Sequence, residues 1–259
     1  MNLGLADKVI IVSGGAKGIG EGITIILAEE GAIPVIIGRS AEDNNILVEQ
    51  IIQKGFKAFG VVAELTNPEA CASAIHQVVD KFGRIDGLVN NAGVNDGVGL
   101  ENGNYDTFMA SIQKNLVHYF LLAKHALPYL KLSKGSIVNI SSKTAETGQG
   151  GTSGYAAANG GRNALTREWA VELLPYNIRV NALIVAECFT PLYETWINSF
   201  KNPKEKLESI VSDIPLEKRF TTKEEIANMV AFLLSEKSSH TTGQLIHVDG
   251  GYVHLDRAI

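Results

Sequence analysis

The chain has 259 residues, 45% of them hydrophobic and 20% charged, with a formal net charge of −5. That is the make-up of one soluble globular domain, and it excludes a general surface bias toward nucleic acid or anionic membrane. Cys71 and Cys188 make no disulfide framework and no Cys/His cluster has zinc-like spacing. Residues 1–12 lack the basic and long apolar segments of a signal peptide or membrane span, so no metal and a reduced cytoplasmic compartment are expected.

Apolar strands alternate with helical patterns from the start. Lys8 to Val12 reads as a buried strand and Gly18 to Glu30 as a helix, followed by a strand at Ile33 to Ile37 and a helix at Glu42 to Lys54. Phe59 to Val62, Ile85 to Asn90, Gly135 to Ser141, Ile178 to Leu183 and Gln244 to Val248 complete the strands. Pro68 to Phe82, one long helix over Tyr105 to Leu132, Ser153 to Leu174 and Thr222 to Leu234 complete the helices, with a helical insertion at 191–212. This alternation predicts a single doubly wound, Rossmann-type α/β domain over 1–259, a seven-stranded parallel sheet with helices on both faces. Its ligand belongs outside the carboxyl ends of the strands.

The first strand runs into Ser13-Gly14-Gly15-Ala16-Lys17-Gly18-Ile19-Gly20. Glycines let a backbone approach a pyrophosphate, and the next helix points its N-terminus at the negative charge. The second strand ends in Ile37-Gly38-Arg39-Ser40. A carboxylate there would accept the ribose 2′-hydroxyl of NAD, and Gly38 has no side chain. The Arg39 guanidinium suits a 2′-phosphate, which favours NADP with use of NAD as well.

Four separated motifs in order make the chain resemble the short-chain dehydrogenase/reductase family. They are the glycine turn, Asn90-Asn91-Ala92-Gly93, Ser141-Ser142 and Tyr155-Ala-Ala-Ala-Asn159. The resemblance runs from Gly14 to Gly251 and implies site roles position by position. Gly14, Lys17, Gly18, Ile19 and Gly20 hold the dinucleotide, Glu64 and Leu65 border the adenine, and Asn91, Ala92 and Gly93 steady the sheet and line the cleft. Thr190 contacts the nicotinamide carboxamide, the 191–212 insertion covers the substrate, and the helices at 105–132 and 153–174 form a homotetramer. Ser142 holds the reacting oxygen, Tyr155 handles its proton, and Asn115 helps hold a relay water.

The family's pattern is Tyr-x-x-x-Lys, and here the lysine position holds Asn159, one helical turn from Tyr155. An isolated tyrosine has a pKa of about 10, so roughly one in a thousand is phenolate at neutral pH. A neighbouring cation lowers that value by about 1–3 units, and Asn159 carries none. The expectation is cofactor binding, with Asn159 still bonded to the nicotinamide ribose, and turnover slowed by about ten- to a thousandfold.

Further segments, among them Asn91-Ala-Gly-Val-Asn95, Thr147-Gly-Gln149-Gly and Thr166-Arg-Glu-Trp169, resemble bacterial L-fucose dehydrogenases, which oxidise the anomeric carbon of a 6-deoxyhexose to its lactone. Asn95, Lys143, Gln149, Glu187 and Trp196 are the polar and aromatic groups a sugar would need. Lys143 and Glu187 also suit a mutual ion pair, and Trp196 suits packing within the insertion. Two other readings stay open, a cofactor-binding protein without turnover and a carbonyl reductase of the 3-oxoacyl or 17β-hydroxysteroid type. His118 and His125 share a helix face without a matching carboxylate and are assigned packing or interface roles.

Overall fold

The structure, a computed structural model, describes residues 2–255. Seven parallel strands form one sheet: β1 (Val9–Ser13), β2 (Ile33–Gly38), β3 (Phe59–Val62), β4 (Gly87–Asn90), β5 (Ser136–Ser142), β6 (Arg179–Val185) and β7 (Leu245–Val248). Their spatial order is β3-β2-β1-β4-β5-β6-β7. The order reverses between β1 and β4, and the crevice at that switch point is where a doubly wound sheet binds its ligand.

The helices are α1 (Gly18–Glu29), α2 (Ala41–Gln53), α3 (Pro68–Phe82), α4 (Tyr105–Ile112), α5 (His118–Ser133), α6 (Ser153–Glu172), α7 (Pro191–Ile197), α8 (Pro203–Ser212) and α9 (Lys223–Leu234). Both faces of the sheet are covered. Val9, Ile11, Val35 and Ile37 point into the core under α3, α5 and α6, where Ile75, Leu122 and Trp169 pack. Ile10, Val12, Val89 and Val138 point the other way, toward Ile23, Leu27, Ile226 and Val230 of α1 and α9. Burial on both faces explains why the central strands are unbroken apolar runs rather than alternating ones.

Helix starts follow side-chain chemistry. The Ser40 hydroxyl accepts from the Asp43 amide, Asn67 accepts from Ala70 just ahead of Pro68, and Thr222 and Glu225 form a reciprocal capping box.

One expectation changes and one gains detail. The long helix over 105–132 is interrupted by a π-turn at Gln113–Val117. Asn115 causes it from the side: its Oδ1 accepts from the Val94 amide at 2.7 Å, its Nδ2 donates to the Ser111 carbonyl at 3.0 Å, and its own carbonyl turns out to Arg162. The 191–212 insertion is two helices, α7 and α8, because Pro203 opens a new helix after the turn at Asn198–Asn202.

Candidate functional site

The crevice at the switch point is a cleft of about 760 Å³. Its floor is the glycine turn, where Gly14 and Gly18 have φ of +63° and +56°. A Cβ on Gly20 would stand 2.1 Å from the Gly14 carbonyl oxygen, so only glycine lets α1 start this close to the strand. The turn is tied to β4 across the switch point. Asn91 donates through its amide nitrogen to Ser13 Oγ at 2.9 Å and through Nδ2 to the Ser13 carbonyl at 2.9 Å. The Ala92 amide also donates to Ser13 Oγ, at 3.1 Å, so this hydroxyl has a structural task.

Gly14, Lys17, Gly18, Ile19, Gly20, Arg39, Glu64, Leu65, Asn91, Ala92, Gly93, Ser142, Tyr155 and Thr190 all line this cleft. Its glycine floor and helix N-terminus fit a dinucleotide, and its volume lies in the range of ligand pockets. Lys17 is paired with Asp43 at 2.8 Å. The Thr66 amide and hydroxyl, with the Arg39 charge beyond them, hold the Glu64 carboxyl below its usual range. Ser142 sits at the end of β5 and caps a short 3₁₀ turn by accepting from the Thr144 amide at 3.3 Å. Tyr155 stands across from it in the first turns of α6.

Asn159 does not face the cleft, which corrects the expected ribose contact. Its side chain is fully buried; Nδ2 donates to the Tyr155 carbonyl at 2.8 Å and Oδ1 accepts from Arg162 Nη1 at 2.9 Å. Both polar ends of the amide are therefore engaged inside the protein. Asn115 is likewise buried beneath the cleft rather than on its wall. Lys143 and Glu187, both buried, form an ion pair, and Lys143 Nζ lies 3.9 Å from the Tyr252 ring centroid. The paired lysine is neutralised, so it is no substitute for the missing cation. Trp196 packs between Tyr193 and Phe200, with ring centroids 5.1 and 5.0 Å away. Gln149 is exposed on the loop before α6, and Asn95 Oδ1 accepts from the Gly97 amide at 3.3 Å. None of Asn95, Lys143, Gln149, Glu187 and Trp196 is part of the cleft wall, although Ser142, Ala186, Cys188 and Thr195, chain neighbours of Lys143, Glu187 and Trp196, are.

Arg162 and His118 also belong to the cleft; the first was not singled out in the sequence, and the second was assigned packing or interface roles. Arg162 is buried under Gly93, and it lies seven residues after Tyr155, a spacing that shares a helix face and could have flagged it. His118 lines the cleft as well, with Nε2 2.9 Å from the Lys114 carbonyl. Burial, reinforced by the Arg162 charge, pushes its imidazole down to about 4. The folded value lies below the unfolded one, so the stability it contributes is full above about pH 6.5 and is lost as pH falls toward 4. Urea titrations should lose up to about 3 kcal/mol over that window, and His118→Gln should flatten the loss. An unchanged slope in the variant would contradict the assignment.

Such a fold and cleft define a nicotinamide-dinucleotide oxidoreductase. A family model described as "Enoyl-(Acyl carrier protein) reductase" matches residues 14–253. The 3-oxoacyl-[acyl-carrier-protein] reductase FabG of Thermotoga maritima is 38% identical over 250 residues, 96% of this chain and 99% of that protein. The solved structure of Cj0485 dehydrogenase is 48% identical with a TM-score of 0.94, covering 100% of this chain and 99% of that one. The ligand-free aldohexose dehydrogenase of Thermoplasma acidophilum is 28% identical with a TM-score of 0.89, covering 99% and 98%. The chain belongs to the short-chain dehydrogenase/reductase family, whose members are NAD(P)-dependent oxidoreductases acting on alcohol and carbonyl groups. Among the described residues no helix is long and apolar enough to cross a membrane.

Proposed function

We propose that the chain oxidises the anomeric hydroxyl of an aldose, L-fucose or a similar 6-deoxy sugar, to the lactone, and does so slowly. The observation that carries the substrate class is the Lys143–Glu187 ion pair beside Tyr252; in the chain Lys143 follows Ser142, and Glu187 lies between Ala186 and Cys188, and Ser142, Ala186 and Cys188 all line the cleft. Charged donors and acceptors beside an aromatic face suit a polyol, whereas an acyl chain or a steroid wants an apolar rim. The similarity to an aldohexose dehydrogenase adds to it.

Gly14 and Lys17 to Gly20 would hold the pyrophosphate, Glu64 and Leu65 the adenine side, and Thr190 the nicotinamide carboxamide. Arg39 would favour the 2′-phosphate of NADP over NAD. When bound, the nicotinamide supplies the hydride acceptor. Ser142 orients the substrate hydroxyl, and the Tyr155 oxygen takes its proton as the carbon–hydrogen bond is lost. Asn159 leaves that tyrosine without its lysine, which is the reason for slow turnover. The helices α7 and α8 act as the lid. A homotetramer formed on α4–α5 and α6 is supported by the exposed apolar side chains of Val117, Phe120 and Val171.

A second reading, 3-oxoacyl reduction, is favoured by the similarity to the Thermotoga maritima enzyme. The deciding experiment assays NAD(P)+ reduction with a panel of aldoses, and NADPH oxidation with a 3-oxoacyl thioester, on this chain and on Asn159→Lys. Fucose-dependent turnover supports the sugar reading, and thioester turnover alone replaces it. Cofactor binding without any turnover in either protein points to a silent binding member of the family.

A further inference from the structure

The positive charge missing at position 159 is present elsewhere. Arg162 is 2% exposed and stands one turn beyond Asn159 on α6. Nε donates to the Asn115 carbonyl, which lies within the π-turn, at 2.7 Å. Nη1 donates to the Ile140 carbonyl at 3.1 Å and to Asn159 Oδ1 at 2.9 Å, and Nη2 lies 3.5 Å from Asn115 Oδ1. Every one of these acceptors is neutral, and among the described residues no carboxylate is paired with Arg162. A buried cation without a counter-ion is costly, and an apolar residue would be easier to bury. The guanidinium carbon lies 4.3 Å from the Tyr119 ring centroid and 5.9 Å from that of Tyr155. Nη2 lies 2.8 Å from where a Cβ on Gly93 would stand, so the charge sits directly behind the cleft wall.

We propose that Arg162 supplies the cation for Tyr155 in this chain, and that Asn159 is the clamp that holds its guanidinium there. The proposal rests on the dehydrogenase reading. Arg162 acts through Tyr155 and is a positioning residue rather than a catalytic one. A guanidinium cannot pass on a proton as an ammonium can, but its charge favours the phenolate form. Arg162 and a lysine at position 159 would be redundant and would repel each other, so the two positions are coupled.

The test compares this chain, Arg162→Met, Arg162→Lys, Asn159→Lys and the double variant Asn159→Lys with Arg162→Met. With Asn159 in place, Arg162→Met should lower kcat at pH 7 by about tenfold or more, with KM little changed, and move the alkaline shift of the pH–rate profile upward by about one unit. Arg162→Lys should recover part of the loss. In the Asn159→Lys background the same Met substitution should be neutral or raise the rate. Equal losses in both backgrounds, with an unmoved pH profile, would indicate a merely structural role and overturn the proposal. If Arg162→Met fails to fold, Arg162→Gln replaces it. If no protein turns over any substrate, the dehydrogenase reading fails separately. The ultraviolet titration of the Tyr155 phenol, read as a difference from Tyr155→Phe, then still decides: a higher apparent pKa in Arg162→Met supports the proposal and an equal one sinks it.

A different observation carries a second site. Glu146, His247 and His254 each place one ligand atom within 4.8 Å of the other two. His247 Nε2 is 2.8 Å from Glu146 Oε2, and the two imidazole rings stand 4.3 Å apart at 88°. Ligands around a tetrahedral zinc are about 3.3 Å from each other, so small side-chain rotations suffice. The three residues come from separately held segments. Glu146 follows the 3₁₀ turn after β5, and Asn163 Nδ2 donates to its other oxygen at 3.5 Å. His247 is on β7, and His254 is in a turn set by Asp249, which accepts from the Gly251 and Val253 amides at 2.8 and 3.0 Å.

We infer that these residues bind a divalent transition cation such as Zn²⁺, which would join the C-terminal turn to the loop behind Ser142. Two imidazoles and a carboxylate are borderline ligands suited to that class. Tag-free protein stripped with a chelator should bind one equivalent of Zn²⁺ by calorimetry, and Co²⁺ by absorption. His254→Ala, which removes an exposed side chain, should weaken both by at least about tenfold. His240→Ala should leave them unchanged. No saturable binding, or binding indifferent to His254→Ala, overturns the site.

Discussion

Asn159→Lys is expected to raise kcat for sugar oxidation at pH 7 by about ten- to a thousandfold, the range that a cation beside a tyrosine spans. The geometry makes the position within that range informative. The Asn159 side chain is buried and bonded to the Tyr155 carbonyl and to Arg162, so a lysine must displace the guanidinium to reach the same space. If Arg162 already supplies most of the charge, the single substitution gains close to tenfold, and the larger gain appears only when Arg162 is also removed. Parallel pH–rate profiles of the three proteins measure both terms. A rate unchanged in Asn159→Lys and in the double variant would mean that the lysine position does not limit turnover at all.

Much of the fold was readable because its determinants are local. β3 and α3 have the same limits by sequence and by structure: Phe59 to Val62 is a short apolar run, and Asn67-Pro68 is a side-chain cap followed by a residue preset for a first helical turn. The π-turn at Asn115 was not readable, since it depends on the Val94 amide and on Arg162, residues distant in the chain. The cofactor cleft was legible for a similar reason to the strands. Gly14 to Gly20 and Asn91 to Gly93 are contiguous stretches whose backbone does the work, and all their predicted members line it apart from spacers. The substrate side was less so. Gln149 and Asn95 sit on loops without periodicity, where residue type says little about direction. At Asn159 the Tyr-x-x-x-Asn spacing shows only that the lysine is replaced; the bond of its side chain to Arg162, three residues on, depends on how both side chains are buried.

Gly20→Ala is expected to weaken cofactor binding by about five- to a hundredfold while leaving most of the fold intact. The added Cβ would meet the Gly14 carbonyl oxygen at 2.1 Å, Asn91 Nδ2 at 2.6 Å and the Gly14 carbonyl carbon at 2.9 Å. Two of these atoms are backbone, so a rotamer change cannot relieve the contact. Either α1 backs away from β1 or the Gly14 peptide moves, and both displace the amides at the helix N-terminus that face the pyrophosphate. Thr24 resists the first movement, because its hydroxyl donates to the Gly15 and Gly20 carbonyls at 2.9 and 2.8 Å and binds helix to turn. Overpacking of this kind costs about 1–3 kcal/mol, and each 1.4 kcal/mol is a factor of ten in affinity. Calorimetric titration with NADP+ and NAD+ checks the affinity and thermal unfolding checks the fold. Gly60 on β3, whose Cβ would make only ordinary contacts at 3.4 and 3.6 Å with Asn44 and Val48, provides the comparison. Gly60→Ala should retain cofactor binding within a few-fold, and equal losses in the two variants would show that the effect at Gly20 is general destabilisation rather than a displaced phosphate cradle.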